Sequence, residues 1–89
     1  MIERELAIRN RLGLHARAAA KFVHLASRFT AHVRVACDGR EMDGKSIMGI
    51  LLLAASQGTR IVVTASGEDE ADAITAVEDL ITRSFDEEE

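Results

Sequence analysis

The sequence predicts one α+β domain: an open-faced sandwich in which three helices cover one face of a four-stranded, mostly antiparallel sheet. The apolar period switches along the chain between two residues and about 3.6 residues, in the order βαββαβα. With 89 residues the chain can form one modest core but no second one. Because 47% of the residues are hydrophobic and only 3% aromatic, that core must be mainly aliphatic. We place the domain at residues 1–85 and an acidic tail at 86–89.

The first half of the chain predicts a strand, a helix and a hairpin. Three apolar residues of one parity predict the first strand: Ile2, Leu6 and Ile8. After a turn at Gly13, residues 16–28 have helical spacing and a basic outer stripe. The stripe consists of Arg17, Lys21, His24 and Arg28. Asp38–Gly39 then predicts a hairpin between a strand at 33–36 and a short strand at 40–43.

The second half predicts a helix, a strand and a final helix. Ser46 can cap a short helix from Ile47 to about Ala55, and β-branched residues at 61–65 favour the fourth strand. The last helix opens at Gly67. Its predicted inward stripe consists of Ala71, Ile74, Val77 and Ile81. We expect residues 86–89 to be frayed and solvated.

The charge is polarised along the chain. Residues 1–66 hold ten Lys or Arg against five Asp or Glu, a net +5, whereas residues 67–89 hold one Arg against ten Asp or Glu, a net −9. A basic N-terminal part favours an acidic partner, either a nucleic acid or an acidic protein face. Since the chain lacks Trp and Tyr for base stacking and the acidic tail would compete for the basic patch, we expect no nucleic-acid partner.

The cysteine and histidine content argues against a disulfide or a metal site. Cys37 is the only cysteine, and we interpret it as a strand residue. His24 and His32 lack metal-ligand spacing, so they are interpreted as a helix-surface and a strand residue. No apolar run approaches the roughly 20 residues that span a bilayer, and the first residues are charged where a signal peptide is apolar. We expect a cytoplasmic protein without membrane contact, metal or other cofactor.

His15 is the residue whose position indicates chemistry. It lies between the Gly13 turn and the first predicted helix, beside the free N–H groups of the first helical turn. A phosphoryl group on its imidazole would meet the N–H groups of Ala16, Arg17 and Ala18, the helix dipole and the Arg17 guanidinium. The small side chains at 18–20 leave room for a partner's active site. Position alone also fits an ordinary surface or capping histidine.

Two segments resemble a known family. Asn10–Ala19 is similar to the active-site segment of the histidine-containing phosphocarriers, HPr and its nitrogen-type paralogue NPr, where the motif reads Gly-Leu-His-Ala-Arg-Pro-Ala. Gly44–Gly49 resembles the segment in which a dedicated kinase phosphorylates a regulatory serine. The likeness continues through residues 57–59 and 67–71 and covers essentially the whole chain.

The resemblance implies a monomeric phosphocarrier of the phosphotransferase system rather than an enzyme. Enzyme I would phosphorylate His15 on Nδ1 at the expense of phosphoenolpyruvate, Arg17 would assist, and enzyme IIA domains would accept the group. Ser46 would be the regulatory site of an HPr kinase/phosphorylase. Ala18 departs from the usual proline, which puts the stiffness of the site in question. Both the sugar-uptake and the nitrogen-type regulatory branch fit these residues.

Apolar residues beside the site predict a docking surface. One face of the second helix can turn four residues toward the core of the domain: Ile47, Ile50, Leu53 and Ala54. Met48 and Leu52 must then point away from the core, and Leu51 lies at the edge of that face. Unless another element covers them, they form an exposed patch. The family's partners dock on the first two helices, so the predicted docking residues are Ala20, Lys21, His24, Ile47, Met48 and Leu51.

Two other classes of function fit parts of the sequence. A small hydrolase of the acylphosphatase type could use Asn10, Arg11 and Arg17 around an anion, but it leaves the segment around His15 unexplained. A nucleic-acid-binding module could use the basic first helix, with the objections given above.

Overall fold

A computed structural model describes residues 1–87 and has the predicted architecture. The strands are β1 (Ile2–Ala7), β2 (His32–Cys37), β3 (Arg40–Asp43) and β4 (Arg60–Ser66). The helices are α1 (Ala16–Ala26), α2 (Ile47–Leu53) and α3 (Glu70–Thr82), followed by a short 3-10 turn (Ser84–Asp86). The strands form one sheet in the order β1-β4-β2-β3, and every neighbouring pair is antiparallel. The predicted fold class and element order are confirmed.

The sheet buries one of its two faces completely in β2 and β4. The inward residues of β2 and β4 are Val33, Val35, Cys37, Ile61, Val63 and Ala65, and all of them are buried. The residues between them lie on the opposite face because successive side chains of a strand turn to opposite faces; they include Arg34 and Thr64 but also the half-buried Ala36 and Val62. The helices therefore cover the apolar face and the other face is open to solvent, where Arg34 pairs with Glu41 across β2 and β3.

The first helix has the predicted apolar face but is shorter than predicted. Its buried residues are Ala18, Ala19, Phe22, Val23 and Ala26. It ends at Ala26 rather than Arg28, because the N–H groups of Arg28 and Phe29 bond to acceptors three residues back and so tighten the last turn. Lys21, predicted on the outer stripe, is half-buried and donates from Nζ to the carbonyl oxygen of Phe85 at 2.6 Å.

The second helix ends earlier than predicted. Ala54 adopts the left-handed conformation (φ 51°, ψ 34°) and terminates α2 after Leu53, without the glycine that usually occupies this position. Ile50 and Leu53 are buried as predicted. Ile47 is 40% exposed and Ala54 is exposed, so the expectation that they share the core face is wrong. A seven-residue helix can turn only a narrow stripe inward.

The third helix starts later than predicted. It begins at Glu70, with Asp69 rather than Gly67 before its first turn. Its buried stripe is Ala73, Ile74, Val77, Leu80 and Ile81, whereas Ala71 is exposed and was wrongly assigned to the inward face. The Asp69 carboxylate accepts the backbone N–H groups of Thr30 (2.9 Å) and Ala31 (2.8 Å) and thereby ties the start of α3 to the loop before β2.

The segment after α3 folds back on the domain. Ser84, Phe85 and Asp86 all have positive φ, and a left-handed non-glycine residue costs about 1–2 kcal/mol. Burial of Phe85, which is fully inaccessible, offsets part of that cost. Because Glu87 also contacts the domain, as described below, the expectation of a frayed tail is wrong for residues 86 and 87. Residues 88 and 89 lie outside the described part.

Candidate functional site

A tight loop between β1 and α1 places His15 at the helix start. Gly13 has a φ of +67°, and a Cβ added to it would lie 2.4 Å from the carbonyl oxygen of Ala55. The same oxygen accepts the N–H of Leu14 at 2.9 Å, and the Leu14 side chain is buried. Glycine is therefore required here both for its conformation and for the close approach of the two backbones. The loop rests against the segment that follows α2.

His15 is the N-cap residue of α1, but its imidazole does not cap the helix. Its backbone is extended (φ −78°, ψ 178°), and its carbonyl oxygen accepts the N–H of Ala19 at 2.8 Å. No side-chain hydrogen bond closes the first turn. An N-terminal turn without a side-chain cap is a site at which backbone N–H groups and the helix dipole favour an anion.

Basic and acidic side chains line the surface around this turn. His15 lies in an open depression at the surface, and its side chain is 29% exposed, so a partner can reach the ring. The lining residues are Arg11, Leu12, His15, Ala16, Arg17, Lys21, Asp86 and Glu87. Ala16 and Arg17 are exposed and line the depression together with His15, whereas Ala18 is fully buried and presents only its backbone to the first turn. Arg17 and Lys21 can thus balance the charge of a bound anion.

One imidazole nitrogen is already engaged. Nε2 of His15 contacts Oε2 of Glu87, and Oε1 of Glu87 accepts from Nδ2 of Asn10 at 3.0 Å. Asn10 is fully buried and donates its second amide hydrogen to the carbonyl oxygen of Gly13 at 2.7 Å. Within residues 1–87, the Oδ1 atom of Asn10 has no partner. With its amide group held in this way, Asn10 is not available to a substrate, which removes it from the hydrolase alternative.

The Glu87 carboxyl is held in its ionised form. Partial burial raises its pKa, but the hydrogen bonds from His15 and Asn10, together with the charges of His15 and Lys21, lower the pKa by more. The net pKa lies below the ordinary value for glutamate. At neutral pH the group beside Nε2 is therefore a carboxylate, which can only accept hydrogen bonds.

Ser46 caps α2 as predicted. Its Oγ accepts the N–H of Gly49 at 3.0 Å, and its carbonyl oxygen accepts the N–H of Ile50 at 3.0 Å. A Cβ at Gly49 would lie 3.3 Å from that Oγ, so a small residue suits this turn. The side chain is half-buried, and its hydroxyl lies at the start of a helix adjacent to α1.

The predicted docking residues differ in exposure. Met48 (66%) and Ile47 (40%) are exposed on α2, and Leu52 (53%) points away from the core as expected. His24 is exposed on α1, whereas Ala20, Lys21 and Leu51 are half-buried. Leu12, which is 69% exposed at the edge of the depression around His15, was missed from the sequence because it belongs to no periodic element.

The roles of Asn10, Phe85 and Glu87 were also not predicted from the sequence. An asparagine before a glycine turn is a recognisable local signal, and Asn10 was assigned only to the hydrolase alternative. Phe85 is the one aromatic residue in the acidic segment 67–89, which could have indicated an anchor. Nothing in the local pattern distinguishes Glu87 from its acidic neighbours.

The histidines, the cysteine and the acidic residues form no metal cluster in the described part of the chain. Across residues 1–87, no group of three or more His, Cys, Asp or Glu could hold a metal ion. His24 and His32 are exposed on different elements and Cys37 is buried in β2, where burial first and Asp38 second raise the pKa of its thiol. Over the same residues, every helix is too short or too polar to cross a bilayer.

Comparison with known proteins gives one consistent result. The family model described as PTS HPr component phosphorylation site matches residues 2–83. Phosphocarrier protein HPr from Xylella fastidiosa is 51% identical over 87 residues, and that from Pseudomonas putida is 49% identical over 88 residues; each alignment covers 98% of both chains. The crystal structure of HPr-C-His from Thermoanaerobacter tengcongensis superposes with a TM-score of 0.96 at 46% identity, covering 100% of both chains.

Proposed function

Since the chain belongs to the HPr family of the phosphotransferase system, we propose that His15 carries a phosphoryl group from enzyme I to enzyme IIA domains. The observation that carries this assignment is the position of His15. Its imidazole stands at the uncapped N-terminus of α1, in an open depression that Arg17 and Lys21 also line. The expected cytoplasmic location and monomeric state stay predictions.

The proposed acceptor atom is Nδ1 of His15. Its lone pair forms the new bond to phosphorus while the donor's bond to phosphorus breaks and the bonding electrons stay with the donor. The transferred group brings negative charge, which the first-turn N–H groups, the helix dipole and the Arg17 guanidinium balance. Since the donor and the acceptor must approach in line, the open depression and the small side chain of Ala16 favour transfer between two proteins.

The proposed docking surface combines apolar and basic groups. Ile47 and Met48 supply exposed apolar area on α2, and Arg17 and His24 supply basic groups on the adjacent α1. Apolar contact contributes affinity, and the basic groups steer an acidic partner face into position. The same surface serves the donor and the acceptor in turn, because both must reach one imidazole.

Ser46 is the proposed regulatory site. A phosphate there brings about −1.5 to −2 charges to a helix N-terminus, where the fold tolerates negative charge. It would also lie next to Ile47 and Met48, where a docked partner would have to desolvate it, and it would repel an acidic partner face. We therefore expect phosphorylation to weaken docking without unfolding the domain.

The test of the function is phosphoryl uptake. The protein is mixed with phosphoenolpyruvate and enzyme I, and mass spectrometry should detect one phosphoryl adduct that is labile in acid and stable in base. His15→Ala should abolish the adduct, whereas His24→Ala and His32→Ala should retain it, since both residues lie away from the α1 N-terminus. An acid-stable adduct, or equal uptake by His15→Ala, would contradict the assignment.

A further inference from the structure

The imidazole of His15 is held from its Nε2 side by a chain of contacts that begins in the segment after α3. Phe85 is fully buried, and its carbonyl oxygen accepts from Nζ of Lys21 at 2.6 Å. This anchor brings Glu87 back to the start of α1, 72 residues away from His15 in sequence. The side chain of Glu87 is only 13% exposed, and its second oxygen is occupied by Asn10. Besides His15, the Asn10 amide and the anchored Phe85 therefore fix the position of the Glu87 carboxylate.

This arrangement decides which imidazole nitrogen is nucleophilic. A carboxylate can only accept hydrogen bonds, so the Nε2 atom that contacts it must carry the ring hydrogen. In a neutral imidazole the lone pair then belongs to Nδ1. Nδ1 makes no capping bond to the helix. The atom that must attack phosphorus is therefore left with a lone pair and without a competing bond to the first turn.

We propose that Glu87 is a positioning residue for phosphoryl transfer, acting through Nε2 of His15; this inference rests on the proposed function. As the Nδ1 lone pair bonds to phosphorus, the ring gains positive charge and keeps its hydrogen on Nε2. The Glu87 carboxylate balances that charge, and no proton has to leave. On transfer to the acceptor, the electron pair of the nitrogen–phosphorus bond returns to Nδ1. A low pKa keeps Glu87 ionised and able to act in both directions.

Asn10 makes the substitution Glu87→Gln especially informative. The Asn10 amide donates to Oε1 of Glu87, so a glutamine there must offer its oxygen to Asn10. Its NH₂ group then faces Nε2 of His15, which has to accept a hydrogen bond and give up its hydrogen. The ring hydrogen moves to Nδ1, and the nucleophilic lone pair is lost from that atom. The glutamine keeps the size of the side chain and reverses the tautomer.

The first experiment measures the tautomer of the unphosphorylated protein by ¹⁵N NMR of labelled histidine. The wild-type protein should have the hydrogen of neutral His15 mainly on Nε2, and Glu87→Gln should have it mainly on Nδ1. Glu68→Gln is the matched control. Glu68 is an exposed glutamate just before α3. Asp69 ties the start of α3 to the loop that follows the C-terminus of α1, at the opposite end of α1 from His15. Glu68→Gln should leave the His15 tautomer as in the wild type.

The second experiment measures phosphoryl uptake from enzyme I as a function of enzyme I concentration. Glu87→Gln should lower the maximal rate about 10- to 100-fold and change the half-saturating concentration less than twofold, with Glu68→Gln unchanged. An unaltered tautomer in Glu87→Gln, or an equal or higher maximal rate, would overturn the role of Glu87. A wild-type protein that takes up no phosphoryl group would instead overturn the proposed function, whatever its tautomer.

Discussion

Gly13→Ala perturbs the contact that holds the His15 loop against the rest of the fold. The added Cβ would lie 2.4 Å from the carbonyl oxygen of Ala55 and 2.9 Å from Cα of Ser56. Both are backbone atoms, so rotation of a side chain cannot relieve the contact. The loop must move away, and the bond from Leu14 N–H to Ala55, now 2.9 Å long, is lost with it.

The magnitude follows from two contributions. An alanine in the left-handed region costs about 1–2 kcal/mol, and a buried backbone group left without its partner costs about 1–3 kcal/mol. The free energy of unfolding should therefore fall by about 2–5 kcal/mol. In a domain of this size each kcal/mol lowers the melting temperature by about 4–8 °C, so a loss of roughly 10 °C or more is expected.

Gly39→Ala is the control for backbone conformation alone. Gly39 has a φ of +81°, but a Cβ there would meet nothing within 4 Å. Both substitutions restrict the unfolded chain to a similar extent, so that effect cancels in the comparison. Urea unfolding followed by circular dichroism should show that Gly13→Ala is less stable than Gly39→Ala by about 1–3 kcal/mol. Equal losses in the two variants would refute the close approach of Gly13 to Ala55.

Three further predictions concern helix starts. Ala18→Pro should raise stability by about 0.4–1 kcal/mol, because Ala18 is the third residue of α1, where no preceding helical carbonyl is available to its N–H; a lower melting temperature would contradict this. It removes one first-turn N–H but keeps those of Ala16 and Arg17 and the Arg17 guanidinium, so phosphoryl uptake should be preserved. The hydrogen bond from the Thr30 N–H is the main cause that lowers the pKa of Asp69 below its ordinary value of 3.8. The stability that the ionised Asp69 contributes is therefore present above pH 3.8 and is lost as the pH falls through the lower pKa of the folded state. The gap in melting temperature between the wild type and Asp69→Asn should accordingly narrow on acidification below pH 3.8, and a gap independent of pH would contradict it. Ser46→Ala should lower the stability of the domain in thermal melts by about 0.5–2 kcal/mol and keep phosphoryl uptake near normal. Ser46→Asp should slow phosphoryl uptake mainly by weakening association with the partner. If the protein phosphorylated on Ser46 takes up phosphoryl groups at the unmodified rate, Ser46 is only a helix cap.

The sequence was sufficient wherever a structural signal is local. The Asp38–Gly39 turn, the Ser46 cap, the alternation in β2 and the β-branched run that forms β4 each depend on residues within a few positions, and all were predicted correctly. His15 could be placed at a helix start for the same reason, since its neighbours include a turn glycine and a run of alanines.

The errors occur where distant segments decide the outcome. Asp69 is bonded to Thr30, 39 residues earlier, which moves the start of α3 away from Gly67. Phe85 is anchored by Lys21, 64 residues earlier, and no periodicity reports that contact. The position of Glu87 beside the imidazole depends on the anchored Phe85, so it could not be predicted from the acidic stretch in which Glu87 lies. Contacts of this kind depend on the assembled core rather than on local propensity.

The position of the phosphoryl group on the His15 ring tests the central claim most directly. The protein is labelled with ¹⁵N histidine, phosphorylated with enzyme I and phosphoenolpyruvate, and examined for one-bond coupling between ³¹P and a ring nitrogen. In the structure Nε2 contacts Glu87, and the His15 side chain makes no capping hydrogen bond that would occupy Nδ1. Coupling to Nδ1 of His15 is the predicted result. Coupling to Nε2, or to any other histidine, would contradict the account.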